Sequence, residues 1–81
     1  MFENQYIVRR IHSEIKEECP VYGESPFDAL NNFNNWLKEN HYWKITGASE
    51  LKNGNWHITV EGISEKSWGY AFYEMTVPLK E

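Results

Sequence analysis

Tyr42-Trp43-Lys44-Ile45-Thr46-Gly47-Ala48-Ser49-Glu50-Leu51-Lys52-Asn53-Gly54-Asn55-Trp56-His57-Ile58-Thr59-Val60-Glu61 is the stretch on which the fold turns. Both ends are rich in β-branched and aromatic residues. Asn53-Gly54 between them accommodates the positive φ values of a type I′ turn, whose twist suits antiparallel strands. A two-residue loop predicts the pairs Leu51–Trp56, Ser49–Ile58, Gly47–Val60 and Ile45–Gly62 on one face, the side turned to a core. The opposite face then pairs Glu50 with His57, Ala48 with Thr59, Thr46 with Glu61 and Lys44 with Ile63. That set is mostly polar and belongs in solvent.

Beyond this hairpin, Ser64-Glu65-Lys66-Ser67 reads as a turn and Trp68–Val77 as a returning antiparallel strand. Two orientations compete. If Ala71, Tyr73, Met75 and Val77 face the core, Trp68, Tyr70, Phe72 and Glu74 face outward; the reverse choice buries the Glu74 carboxylate beside Ile58. Burying an unpaired charge is the costlier arrangement, so the aromatic row Trp68, Tyr70 and Phe72 is placed on the solvent face beside Ile63. This holds for a turn with an even number of residues.

Upstream, Ser25 is a good N-cap, Pro26 suits the first helical position, and Asp28 puts negative charge in the first turn. The helix runs from Pro26 to about Glu39. At 100° per residue, Ala29, Leu30, Phe33, Trp36 and Leu37 fall in a stripe about 120° wide that faces a core. Asn31, Asn32, Asn34 and Asn35 crowd the same helix. As poor helix formers they leave the apolar stripe to hold it. Their polar face reads first as solvated and second as a recognition surface.

Tyr6–His12 is a β-branched strand, and Glu17–Tyr22 a second one that Pro20 confines to an edge or a bulge. The fold class is α+β: one helix on one face of a largely antiparallel four- to five-stranded sheet, in the order ββαβββ. Eighty-one residues, 41% apolar and 16% aromatic, make a single compact domain over 1–81. A single helix leaves the second sheet face bare, and an apolar row there marks a binding site.

Function classes fall away in turn. A net charge of −4 opposes a phosphate backbone at long range. Arg9, Arg10 and Lys44 offset it only if their strands are neighbours. No apolar run approaches the roughly 20 residues that span a bilayer, and Met1–Gln5 lacks a basic leader region. The expectation is a cytoplasmic protein without membrane contact. Cys19 is the one cysteine and reads as a reduced structural thiol. His12, His41 and His57 sit in different elements, and HExxH, CxxC, phosphate-loop and nucleophile-elbow patterns are missing. No catalytic residue, metal or cofactor is assigned, and the protein is not expected to be an enzyme.

Two binding chemistries use the outward row. Lys66-Ser67-Trp68-Gly69-Tyr70-Ala71-Phe72-Tyr73 resembles the RNP1 strand of RNA recognition motifs in its alternating aromatics, which implies base stacking. Ser67 replaces the glycine of that pattern. The protein-binding reading takes Trp68, Tyr70 and Phe72 as anchors, with Ile63 beside them and Glu61 and Glu74 among the acidic groups that steer toward a basic partner. Homodimerisation through the same face is a third outcome.

The strand, the Ser25-Pro26-Phe27-Asp28-Ala29-Leu30 helix entry and the Asn53-Gly54 hairpin, in a small acidic chain, resemble small phage-encoded inhibitors of bacterial defence, including several anti-CRISPR proteins. That resemblance implies a non-enzymatic inhibitor that occupies a nucleic-acid-binding surface of a basic effector. Immunity proteins against nuclease toxins fit the same description.

Overall fold

The computed structural model describes residues 3–78. Five strands and one helix follow one another as β1 (Asn4–Ile11), β2 (Glu18–Gly23), α1 (Pro26–Asn40), β3 (Trp43–Glu50), β4 (Trp56–Gly62) and β5 (Tyr70–Thr76). This is the expected ββαβββ order. The strands form one antiparallel sheet in the spatial order β2-β1-β5-β4-β3. The last strand therefore enters at the centre, joining the β1–β2 hairpin to the β3–β4 hairpin. Pro20 lies in β2, an edge strand, where a missing N–H leaves no gap in an interior ladder.

Ser25 caps the helix in an extended conformation (φ −146°, ψ 165°), and its Oγ accepts the Asp28 N–H at 3.2 Å. Asp28 Oδ2 in turn accepts the Glu24 N–H at 3.0 Å. The helix ends where the His41 N–H donates to the Leu37 carbonyl and Tyr42 takes a positive φ of 59°. It packs against one face of the sheet, touching β2 and β3, which are the two edge strands.

The core lies between helix and sheet. Ala29, Leu30, Phe33 and Leu37 are buried from the helix side; Tyr6, Val8, Val21, Ile58, Val60, Ala71 and Met75 are buried from the sheet. Phe33 meets Tyr73 edge to face, with ring centroids 5.5 Å apart. Burying a ring of this size contributes about 1.5–3 kcal/mol. Trp36, expected in the stripe, is 42% exposed; its ring stacks on Phe33 and meets His41 edge to face.

The β3–β4 hairpin departs from the expected register. Gly54 has φ +91° but Asn53 does not take a positive φ, so the turn is not type I′, which needs both. Instead the Gly54 N–H donates to the Leu51 carbonyl at 3.0 Å and the Leu51 N–H to the Asn55 carbonyl at 2.7 Å. The loop thus has three residues, Lys52-Asn53-Gly54. Glu50 rather than Leu51 stands opposite Trp56, Ala48 opposite Ile58, and Ser49 opposite His57, so Gly47, Ala48, Ser49 and Glu50 exchange faces relative to expectation. A bulge between Ile45 and Gly47 then reverses the parity again and returns Ile45 and Trp43 to the helix side, opposite Val60 and Gly62. Lys44 consequently pairs with Glu61, not with Ile63. Asn34 Oδ1 accepts the Ile45 N–H at 2.8 Å, tying the helix to the strand beside the bulge.

The orientation of β5 matches the burial argument. Ala71 and Met75 are buried, and Tyr73 and Val77 pack against the core.

Candidate protein-binding face

The sheet face opposite the helix is covered by no other element among the described residues. Its central strand, β5, presents Tyr70, Phe72 and Glu74 there, two residues apart because successive side chains alternate. Register fixes their neighbours. Tyr70 is flanked by Glu61, which has Lys44 on its far side; Phe72 lies between Ile11 and Thr59; Glu74 lies between Arg9 and His57, with Glu18 beyond Arg9.

Tyr70 is 67% exposed. Phe72 is half-buried because two imidazoles flank it: His12 meets it edge to face and His57 lies tilted against it, both with centroids 5.8 Å away. His12 adopts a positive φ of 58° at the start of the β1–β2 connection. Glu74 is half-buried, and its Oε2 accepts a hydrogen bond from Asn55 Nδ2 at 3.0 Å, while Asn55 Oδ1 accepts the Val77 N–H at 3.2 Å. With Arg9 and His57 as ladder neighbours, Glu74 serves the sheet; Glu61 remains the acidic group beside Tyr70.

Trp68 and Ile63 do not extend this row. The β4–β5 connection keeps its register through a Ser64–Ser67 bridge around Glu65-Lys66, the even-numbered turn that the sequence suggested. However, Gly69 adopts φ +101°, and a Cβ on Gly62 would run into the carbonyl oxygen of Ser67. Gly62 continues the helix-side row of Ile58 and Val60, so the hairpin tip folds toward the helix. There Ser67 Oγ donates to the His41 carbonyl at 2.7 Å. Trp68 stands on this tip, 82% exposed, with Ile63 at 43%. The anticipated line of three rings is a pair, Tyr70 and Phe72, plus a separate tryptophan beyond a kink.

Other sequence suggestions resolve structurally. Arg9 and Arg10 point to opposite faces, and two strands separate β1 from β3, so Arg9, Arg10 and Lys44 form no cluster. Arg10 pairs with Glu17 at 3.1 Å. Asn32 Nδ2 donates to the Tyr22 carbonyl at 2.7 Å, so Asn32 and Asn34 fasten the helix to the sheet. Burial pushes the Cys19 thiol pKa up, which leaves it a poor nucleophile at neutral pH. Among the described residues, no group of three or more His, Cys, Asp or Glu is placed to hold a metal ion, and no helix is long and apolar enough to cross a membrane.

One exposed aromatic escaped the sequence reading. Phe27, 69% exposed, lies outside the apolar stripe of the helix and meets Trp56 edge to face at 5.4 Å. Its position off the stripe was the available signal.

Comparison with known proteins returns no match among family models, curated proteins or solved structures.

Proposed function

We propose that this domain acts by stoichiometric, non-catalytic binding to another protein through the open face of its sheet, and that it inhibits a basic, nucleic-acid-handling partner. The observation that carries this reading is Tyr70, a large ring 67% exposed on the central strand of an uncovered sheet face. Tyrosine brings contact area and a polar tip at low entropic cost, which suits it to anchoring an interface. A net charge of −4 and the Glu61 carboxylate beside that ring favour a cationic partner. The likeness in size, charge and layout to small phage-encoded inhibitors supports the inhibitory role.

The test is capture from a nuclease-treated bacterial lysate on the immobilised domain, with wild type and Tyr70→Glu side by side. A basic protein held by the wild type and released by the variant supports the reading. Retention that does not change with Tyr70→Glu overturns this face as the interface. A difference in sedimentation between the two purified proteins would identify a second copy as the partner.

A second reading, binding of single-stranded nucleic acid, is favoured by one feature. Tyr70 and Phe72 alternate on the central strand, with Arg9 and Lys44 on the same face, an arrangement on which bases can stack. Its signature is fluorescence quenching by an oligonucleotide that weakens steeply with salt.

A further inference from the structure

A groove of about 710 Å³ lies between the start of β1, the entry to α1 and the β3–β4 turn, at the opposite end of the sheet from Trp68. Three aromatic residues, Tyr6, Phe27 and Trp56, line it together with two carboxylates, Glu24 and Glu50, and among the described residues no lysine or arginine lines it. Tyr6 is buried, whereas Phe27 is held in the open by its edge-to-face contact with Trp56, with an interplanar angle of 73°. Such a pair leaves ring surface free, and the free face of an aromatic ring carries partial negative charge.

The occupant this chemistry selects is a cation. Ring faces and carboxylates both attract positive charge, and both repel anions. Three of the backbone donors around it are already engaged. The Glu24 N–H is bound by Asp28, the Asp28 N–H by Ser25, and the Val77 N–H by Asn55. Between the two cationic side chains, guanidinium fits better: it is planar, stacks on rings, sheds water more readily than ammonium and bonds carboxylates with two parallel N–H groups.

We propose that this groove seats an arginine side chain of a protein partner, stacked on the Phe27–Trp56 pair and neutralised by Glu24 and Glu50. The proposal rests on the functional reading above only in that the partner is a basic protein. The groove is built from helix-side residues, so it stands or falls separately from the open face.

The experiment is an amide and indole NMR titration of the full chain at low salt with an acetylated, amidated tetra-arginine peptide; tetra-lysine and tetra-glutamate serve as comparators. Expected are saturable shifts at the Trp56 indole and the Phe27 and Gly54 amides, weaker with tetra-lysine and missing with tetra-glutamate. The paired Glu24→Gln, Glu50→Gln variant should bind the arginine peptide at least about tenfold more weakly. Both carboxylates are on exposed residues, so the fold should survive their neutralisation. Phe27→Ala should lose the Trp56 response, and Tyr70→Glu should retain it. Shifts scattered over all acidic residues, shifts centred on Tyr70, or binding unchanged in the Glu24→Gln, Glu50→Gln variant would each overturn the proposal.

Discussion

Gly54 and Thr46 are coupled across the β3–β4 hairpin. The three-residue turn closed by Gly54 displaces the register by one residue, and the unpaired Thr46 displaces it once more, so Ile45 and Trp43 regain the helix side. Nothing lies within 4 Å of a Cβ added at Gly54, so its role is conformational. Gly54→Ala should therefore destabilise the domain by about 1–2 kcal/mol, with Gly54→Asn milder, as read from urea denaturation midpoints. Deleting Thr46 should cost more, because it turns one side of the hairpin inside out.

Exposure separates the rings of Tyr70 and Trp68 from the core. Tyr70→Ala and Trp68→Ala should each change stability by no more than about 0.5 kcal/mol. Met75→Ala on the same strand, from a fully buried side chain, should cost about 2–5 kcal/mol. Thermal unfolding of the three variants checks this; a large loss at Tyr70 would make that ring part of the fold.

The folded hairpin tip depends on the missing side chain of Gly62. Gly62→Ala would place a methyl group against the Ser67 carbonyl and the Trp68 backbone, forcing the tip away from the helix. A stability loss of about 1–3 kcal/mol is expected. The Ser67–His41 hydrogen bond should break with it, visible as large amide shifts at Ser67 and Trp68 while Tyr70 and Phe72 move little.

Two groups should make stability fall in alkali. Burial raises the Cys19 pKa, and burial followed by the Glu17 carboxylate raises that of Tyr73. In both cases the unfolded chain releases its proton at lower pH than the folded one. The stability these groups contribute is thus complete below their ordinary pKa values and is lost as pH rises through the raised ones. Urea midpoints should decline above about pH 8.5 and again above about pH 10. Tyr73→Phe should flatten the second decline. Alkylation of Cys19 by iodoacetamide at pH 7 should be slower than that of an unstructured cysteine peptide.

Much of the architecture was legible because it rests on local chemistry. Ser25, Pro26 and Asp28 announce a helix start through capping geometry alone, and Pro20 marks an edge strand by the donor it lacks. The orientation of β5 followed from one energetic comparison, the exposure of Glu74 against its burial. The candidate face was legible only in part. Tyr70 and Phe72 sit where alternation puts them, but Trp68 does not, because Gly69 breaks the alternation with a backbone conformation open to glycine. Glu74 was legible as outward-facing, yet its bond to Asn55 depends on how the β3–β4 turn meets the end of β5.

The sequence by itself determined the kind and order of the elements, the apolar stripe of α1 and the inward row of β5. Those depend on periodicity, capping and the desolvation of single groups, all of which act over a few residues. The tertiary structure alone decided that β5 fills the centre of the sheet, that one odd turn and one bulge cancel, and that Phe27 meets Trp56. The first and last of these join residues far apart in the chain, and the second depends on which side of the hairpin meets the helix. Strand parity changes with one inserted residue, so it is settled only when both partners of a ladder compete for the same core.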